Sequence, residues 1–358
     1  MAKLSKVFFL RYLAISFLFL VACNDDDNIG NKPGTEGFYV VNEGGFGNGN
    51  SSISFFDKQT NQVVNDVFKF VNYRSLGDQS QSMTVFNDKG YIVVQGSGKV
   101  EVINTTDNKS IATIEDGIES PRYFVGASNS KGFVSDWGID GVSGTVKVLD
   151  LNTNTVVKSI PVGKGPNRMM LNDDLLYVAN GGGYDYDNTV VVININSEDV
   201  VFTYTVGDNP NSIQMDNTGA IWVASSGRTV YNEDYSVNEE ESTTGSLSKI
   251  VGGAEVLRLT APELGGLGSL DRSPDSKTLY FLYLDGIYTI TMSATQFPTK
   301  AFVTKPYYGI AVNPSDGMII GCLAPNFSSA GSIEILDENG VSQGNYTVGI
   351  GPNGCAFK

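Results

Sequence analysis

Histidine is absent from this sequence of 358 residues, and only three cysteines and two tryptophans occur. Without histidine there can be no Ser-His-Asp or Cys-His nucleophile pair, no imidazole-bound zinc and no histidine proton shuttle. Basic residues are also scarce, since 24 Lys and Arg against 39 Asp and Glu give a net charge of −15. Such a charge repels nucleic acid phosphates. We therefore expect no nucleic acid partner, no cofactor and no metal, and most hydrolytic chemistry is excluded.

Glycine and aromatic residues are plentiful: the chain has 41 Gly, 17 Tyr and 19 Phe, and only 18% of its residues are charged. This composition is typical of short strands joined by many tight turns. At about 150 residues per domain, the length allows two or three domains or one large all-β domain.

Residues 1–22 have the features of a secretion signal. Basic residues precede a short apolar run at residues 12–22, and this run falls short of the roughly 20 apolar residues that span a bilayer. The sequence Leu20-Val21-Ala22-Cys23 resembles the bacterial lipobox, which implies cleavage before Cys23 and its lipidation. Two or more acyl chains anchor a protein stably without crossing the membrane. The alternative is an ordinary cleaved signal with an incidental cysteine.

Residues 23–37 are predicted to be a tether. The run Asn24-Asp25-Asp26-Asp27 resembles the surface-export signal of Bacteroidetes lipoproteins, which implies the outer face of the outer membrane. A simpler interpretation is that these charges only keep the tether solvated. Residues 28–37 contain Gly, Pro and Thr and are typical of a flexible linker.

A repeat of 40 to 45 residues dominates the rest of the chain. The stretches Val162–Met170 and Val206–Ile213 share a Gly-x-x-Pro-Asn corner, lie 44 residues apart and each precede a strand-like run. Related units begin near residues 81, 121, 267 and 307. Each unit holds about four strands, which is the size of one β-propeller blade. The longest unit carries an insertion at Thr229–Gly245, which we expect to be a loop on one face.

The two ends of this region complete each other. The segment Phe38–Asn42 matches the second strand of a unit, whereas Pro352–Lys358 matches only the first strand. Pairing them closes a ring and removes exposed sheet edges. We predict an all-β fold over residues 38–358, a seven-bladed β-propeller with four-stranded antiparallel blades whose first blade is closed by the C-terminal strand. An open solenoid and a pair of β-sandwiches are the alternatives, but neither needs a split first repeat.

The chain resembles the YncE-like β-propeller surface lipoproteins of Bacteroidetes, some of which are labelled surface-layer proteins. The resemblance covers roughly residues 37–358 and is carried by the run Val41–Ser54, the Gly-x-x-Pro-Asn corners and the strand pattern behind them. That group includes lipoproteins that capture cobalamin above a TonB-dependent outer-membrane transporter. The resemblance implies a lipid-anchored cell-surface protein, expected to be a monomer, that binds a small-molecule ligand without turnover. No residue-level cobalamin motif is matched.

In a propeller, the loops between the second and third strands gather with the loops entering the first strand at one mouth of the central channel, where a concave site can form. Aromatic rings with polar tips suit a large planar, amide-bearing ligand such as a corrinoid, or a sugar. The alternative is that such residues only pack neighbouring blades and form turns. The candidate ligand-binding residues in these loops are Phe46, Tyr73, Arg74, Arg122, Tyr123, Trp137, Arg168, Tyr184, Tyr186, Arg228, Tyr307, Tyr308 and Phe327.

Other functions and features stay open from the sequence. The propeller face could instead act as a scaffold or adhesin for a protein or a glycan, and a carboxylate-dependent enzyme using Asp136 or Asp185 is a third option. Cys322 and Cys355 are as compatible with a disulfide as with buried thiols. Whether the Thr229–Gly245 insertion covers the mouth is likewise undecided.

Overall fold

The computed structural model describes residue 34 and residues 36–358 of the chain. Within them, 28 strands form seven four-stranded antiparallel sheets. The predicted seven-bladed β-propeller is therefore confirmed. The predicted signal peptide, the lipidation site at Cys23 and the acidic run that follows it lie outside the described residues.

Each blade runs from an inner strand beside the channel to an outer strand at the rim. Blade 1 contains β28 (Pro352–Phe357), β1 (Gly37–Asn42), β2 (Ser52–Asp57) and β3 (Gln62–Val64). Blade 2 contains β4 (Ser80–Phe86), β5 (Lys89–Val94), β6 (Lys99–Asn104) and β7 (Ser110–Ile114). Blade 3 contains β8 (Pro121–Ser128), β9 (Lys131–Asp136), β10 (Thr145–Asp150) and β11 (Thr155–Pro161).

The remaining blades follow the same order. Blade 4 contains β12 (Pro166–Asn172), β13 (Leu175–Asn180), β14 (Thr189–Asn194) and β15 (Asp199–Thr205). Blade 5 contains β16 (Pro210–Met215), β17 (Ile221–Ser225), β18 (Ser246–Val251) and β19 (Ala254–Thr260). Blade 6 contains β20 (Leu267–Arg272), β21 (Thr278–Tyr283), β22 (Gly286–Thr291) and β23 (Val303–Thr304). Blade 7 contains β24 (Gly309–Val312), β25 (Ile319–Leu323), β26 (Ala330–Leu336) and β27 (Ser342–Ile350).

The first blade is closed by both ends of the described chain. In the antiparallel register of β1 and β28, Phe38 lies opposite Phe357 and Val40 lies opposite Cys355. The Lys358 N–H donates to the Gly37 carbonyl oxygen at 3.3 Å. The C-terminal strand thus covers the inner edge of β1, which would otherwise expose a row of unpaired backbone groups.

The hydrophobic core is divided among the spaces between blades. Between blades 1 and 2, for example, Tyr39 and Phe55 pack against Ile92, and all three side chains are almost fully buried. Burying a large apolar side chain contributes about 1.5–3 kcal/mol. Second strands such as β5 are buried along nearly their whole length because neighbouring blades cover both faces of the sheet. This explains why they consist of continuous apolar residues rather than an alternating pattern.

The loops after the second strands lie on one face of the ring, as predicted. They comprise residues 43–51, 95–98, 137–144, 181–188, 226–245, 284–285 and 324–329. The predicted insertion lies between β17 and β18, where Arg228 pairs with Thr243 and Tyr231 pairs with Val237. A short helix, α1 (Val67–Asn72), lies in the connection from β3 to β4 and buries Val67 and Phe68. None of the helices within the described part of the chain is long and apolar enough to cross a membrane.

Candidate ligand-binding site

The inner strands of all seven blades surround a cavity of about 620 Å³ along the channel. Its lining is polar, with five charged side chains among amides, hydroxyls and a smaller number of apolar groups. These five are Glu43, Arg122, Arg168, Asp271 and Arg272. A concave space of this size with convergent polar groups has the properties of a small-molecule site.

Arg122 lies at the start of β8, where the chain enters blade 3. Its guanidinium carbon is 4.1 Å from the ring centroid of Trp137, a cation–π contact. Its Nη1 donates to Oε1 of Gln95, whereas its Nε has no hydrogen-bond partner among the described residues. Burial lowers the pKa of Arg122, and this is opposed by Tyr123 and Glu43 nearby. Arg122 is therefore a buried cation whose Nε–H is free to donate a hydrogen bond.

Arg168 occupies the next blade, two residues after the proline of its corner. Its guanidinium carbon lies 5.0 Å from the ring centroid of Tyr123, the residue that follows Arg122. The Tyr123 hydroxyl in turn accepts a hydrogen bond from the Gln81 side chain at 3.3 Å. In the described part of the chain, Arg168 has no hydrogen-bond acceptor and no ion-pair partner. Its planar fork of donors therefore lies beside the cavity without a described protein acceptor.

The asparagines of two other corners have a structural role. Asn211 Nδ2 donates to the Leu267 carbonyl oxygen at 2.7 Å, which links blade 5 to blade 6. Asn353 Nδ2 donates to Oε1 of Glu43 at 2.8 Å and to the backbone carbonyls of Ser80–Gln81 at 3.2 and 3.0 Å. At these two corners the Pro-Asn motif works as a clamp between consecutive blades. The interpretation that corner residues pack neighbouring blades therefore holds for them.

Two carboxyl groups face the cavity, and burial raises the pKa of both Glu43 and Asp271. Asp271 accepts the Val312 backbone N–H at 2.7 Å and the Gln214 amide at 3.1 Å. Glu43 accepts hydrogen bonds from Asn353 and from the Tyr308 hydroxyl, and these partly oppose the effect of burial on its pKa. Both carboxyls are therefore engaged by groups that hold the ring together.

Most of the predicted site residues gather at this mouth. Arg122, Tyr123, Arg168 and Tyr308 line the cavity. Trp137 contacts Arg122 and meets Tyr184 edge to face at 5.8 Å, and Phe327 meets Tyr308 in the same way at 5.3 Å. Tyr186 and Arg228 stack on each other at 4.4 Å. Phe46 lies in the first mouth loop with 81% of its surface exposed.

Three predicted residues are not brought to the mouth. Helix α1 leads the chain toward the turn between β6 and β7, since Asn72 donates to the Asn108 carbonyl oxygen. Arg74 consequently pairs with the buried Glu101 at 2.7 Å, and Tyr73 is 93% exposed. Tyr307 is buried between blades 6 and 7 and donates to Glu334.

Several cavity residues were missed by sequence reasoning, namely Glu43, Asn167, Asp271 and Arg272. Asn167 had a usable signal, because it occupies the same place in its corner as Arg122 does one unit earlier. Asp271 had none, since it lies within the inner strand of a degenerate repeat. Its place in the channel depends on the irregular pairing of β20 with β21 between Gly268 and Asp271.

The acidic loop residues considered for catalysis complete local turns. Asp136 accepts the backbone N–H groups of Glu119, Ser120 and Gly138 at 2.8–3.0 Å. Asp185 forms an ion pair with Lys164. Within the range that the structure describes, no group of three or more Asp, Glu or Cys side chains is arranged to hold a metal ion.

The two cysteines that the sequence left undecided are both thiols in this structure. Cys322 on β25 is fully buried, and Cys355 on β28 packs against the same apolar cluster between blades 7 and 1. Burial and the neighbouring Cys322 thiol raise the pKa of Cys355, so the thiolate is disfavoured near neutral pH.

Residues 36–330 match the family model DUF5074, a domain of unknown function. The chain belongs to the DUF5074 family. No curated protein sequence matches this DUF5074 chain.

Solved structures resemble this DUF5074 protein at low sequence identity. A functionally unknown protein from Desulfotomaculum acetoxidans DSM 771 is 15% identical over 90% of this chain and 99% of its own, with a TM-score of 0.66. A putative 6-phosphogluconolactonase from Bacteroides fragilis NCTC 9343 is 13% identical over 91% and 99%, with a TM-score of 0.63. A quinonprotein alcohol dehydrogenase-like protein from Bacteroides thetaiotaomicron VPI-5482 is 13% identical over 90% and 78%, with a TM-score of 0.62. At these identities the similarity shows the fold alone.

Proposed function

We propose that this DUF5074 propeller is a non-enzymatic, YncE-like cell-surface lipoprotein that captures cobalamin at the channel mouth and passes it to a TonB-dependent transporter. The observation that carries the binding proposal is the cluster of Arg122, Trp137 and Tyr184 beside a polar cavity of about 620 Å³. The surface location and the lipid anchor rest on the sequence of residues 20–27.

The chemistry of the mouth suits a corrinoid. A corrinoid is a flat macrocycle whose rim carries amide groups, and aromatic side chains offer it flat contact area at low entropic cost. The amides of Gln81, Asn167 and Gln214 line the cavity and can exchange hydrogen bonds with such a rim. The Asn167 side-chain oxygen is buried and has no partner within the described residues, so a ligand donor would satisfy it.

Co-elution with cyanocobalamin tests this proposal. The purified mature domain is incubated with the ligand and passed over a sizing column, and we expect red absorbance in the protein peak. Trp137→Ala should remove most of that absorbance, because the variant loses the ring on which Arg122 stacks. Tyr73→Ala is the matched control, since that ring is 93% exposed and lies away from the cavity. A colourless wild-type peak would refute cobalamin capture.

Binding without turnover is proposed because Asp136 and Asp185 are engaged in turns and an ion pair. Cleavage of a glycan or a lactone by the wild-type domain, abolished by Asp136→Asn in a variant that still folds, would contradict this part of the proposal.

A scaffold or adhesion role is the second candidate, favoured by the exposure of the mouth loops. Phe46, Ile139 and Tyr184 are 81%, 87% and 79% exposed, and Tyr235 in the insertion is 87% exposed. Clustered exposed apolar side chains mark protein or glycan contacts. Binding to immobilised glycans or to the transporter that is lost in Phe46→Ser and kept in Trp137→Ala would support this role over capture of a small molecule.

A further inference from the structure

The cavity differs in charge from the protein as a whole. The chain carries a net charge of −15, yet its cavity is lined by three arginines and two carboxyl groups. Burial raises the pKa of both carboxyls, which further favours their neutral form. The channel of this acidic protein is thus locally cationic, an arrangement that attracts anionic groups.

The three guanidinium groups differ in how many of their donors bond to other protein groups. Arg272 Nη1 donates to the Met215 carbonyl oxygen at 2.7 Å and helps to join blades 5 and 6. Arg122 donates to Gln95 but keeps a buried Nε free of any described partner. Arg168 has neither a hydrogen bond nor an ion pair to the rest of the described chain. The free donors therefore belong to Arg122 and Arg168.

The carboxyl groups of the cavity form no ion pair with these two arginines, although Glu43 interacts electrostatically with Arg122 and Asp271 with Arg168. Neither Glu43 nor Asp271 lies within ion-pair distance of Arg122 or Arg168 in the described residues, and both accept hydrogen bonds from other blades. Arg168 stacks on Tyr123, which follows Arg122 in β8. The two arginines therefore line the channel from adjacent blades. The buried Nε of Arg122 is a donor without a described acceptor, which is costly unless an oxyanion or a carbonyl oxygen completes it.

We propose that Arg122 and Arg168 form an oxyanion subsite in the channel, which binds a phosphate or carboxylate group of the ligand. This inference rests on the proposed function, because it assumes that the ligand enters this mouth. The planar fork of a guanidinium matches the two oxygens of a phosphate or a carboxylate. For a corrinoid, the matching group is the phosphodiester of the nucleotide loop, while the macrocycle stays against the aromatic rings above.

The experiment compares cyanocobalamin with dicyanocobinamide, which keeps the macrocycle and its amides but lacks the phosphodiester and the nucleotide base. Affinities are measured for the wild-type mature domain and for Arg168→Gln. We expect Arg168→Gln to weaken cyanocobalamin binding about tenfold or more, the range for a lost charge-assisted hydrogen bond. Dicyanocobinamide binding should change by less than about twofold, because no contact with its macrocycle is removed.

Three variants control for charge and folding. Arg258→Gln removes an exposed arginine paired with Glu255 and should change neither affinity. Arg168→Lys keeps the charge but not the fork, so its loss of cyanocobalamin binding should be intermediate. Arg122→Gln should weaken both ligands, because it removes the cation–π partner of Trp137 as well as an anion contact. Melting temperatures establish that each variant is folded.

The outcomes separate this inference from the proposed function. If the wild-type domain binds neither corrinoid, cobalamin capture fails, and the subsite is then tested with inorganic phosphate and acetate as probes of the two oxyanion classes. Binding of either probe that is lost in Arg168→Gln supports the subsite without cobalamin. If both corrinoids bind and Arg168→Gln weakens them equally or not at all, the oxyanion subsite is wrong while cobalamin capture stands.

Discussion

The wall of the channel built by blades 5, 6, 7 and 1 differs from the wall built by blades 3 and 4 in what its polar side chains bind. On the first wall, Asn211, Asn353 and Asp271 are each hydrogen-bonded to a neighbouring blade. On the second wall, Arg168 and the Nε of Arg122 lack partners within the described chain. The corner asparagines of blades 5 and 1 thus link neighbouring blades, whereas the equivalent residues of blades 3 and 4, Arg122 and Asn167, each keep a polar atom without a described partner.

This difference indicates how a repeat can carry function without losing its fold. Each inner strand must satisfy its backbone groups in the sheet, but the side chains after the proline are constrained only where they reach the next blade. Asn211 and Asn353 reach the next blade and link it to their own. Arg122 occupies the equivalent position in blade 3, where the fold is kept and the channel gains a donor without a described partner.

Deletion of residues 352–358 should have the largest effect on this comparison, because it removes the closing strand and the Asn353 clamp together. The inner edge of β1 would be left unpaired and the core between blades 7 and 1 opened. We expect a loss greater than about 5 kcal/mol, the lower end of the stability of a whole domain, and hence no cooperative thermal transition by circular dichroism. Deletion of Lys358 alone is the control. An unchanged melting curve would refute closure by β28.

Asn353→Ala and Asn167→Ala test the two walls with the same substitution. Asn353→Ala breaks two hydrogen bonds to blade 2 and one to Glu43 within blade 1, and it should cost about 2 kcal/mol. Asn167→Ala removes a side chain whose oxygen is unpartnered within the described residues and should change stability by less than about 0.5 kcal/mol. Urea unfolding measures both. Equal losses would show that the two corners are equally structural.

Glu43→Gln should flatten the pH dependence of stability. Burial raises the folded pKa of Glu43 above its ordinary value of 4.5, so the folded chain holds this proton more tightly than the unfolded chain. Stability therefore falls as the pH rises from about 4.5 through the raised folded pKa. The variant cannot ionise, and its melting temperature should decline less between pH 4.5 and neutral pH than that of the wild type. Part of the pH dependence of stability should remain in this variant, because burial also raises the pKa of Asp271. Parallel curves for the two proteins would contradict a raised pKa.

Tyr73→Ala should have the smallest effect, because the side chain is 93% exposed and belongs to neither wall. Both the free energy of unfolding and ligand affinity should stay within about 0.5 kcal/mol of the wild type. Chemical denaturation and ligand titration measure the two quantities. A clear loss of affinity would mean that the ligand extends well beyond the mouth.

Neighbouring residues show how far the sequence could define the site. Tyr307 and Tyr308 were both predicted to face the ligand. Successive side chains of an extended chain point to opposite sides, so only one of the two can do so. The repeat is degenerate at blade 7, and the sequence therefore did not indicate which one. Tyr308 lines the cavity, whereas Tyr307 is buried against Glu334. Arg122 and Arg168 were placed correctly at the mouth because they directly follow well-formed Pro-containing corners. Tyr73 and Arg74 were not, since α1 diverts a connection that the repeat pattern treats as a simple loop.

The repeat and its split first copy determined the ring, the number of blades and the face on which the loops gather, because strand periodicity and chain ends are local properties of a sequence. Only the tertiary structure decided which corner residues clamp blades and which stay free, and that two carboxyls and three arginines share one cavity. These features depend on distances between blades, and such distances arise only when residues far apart in the chain are brought around one axis.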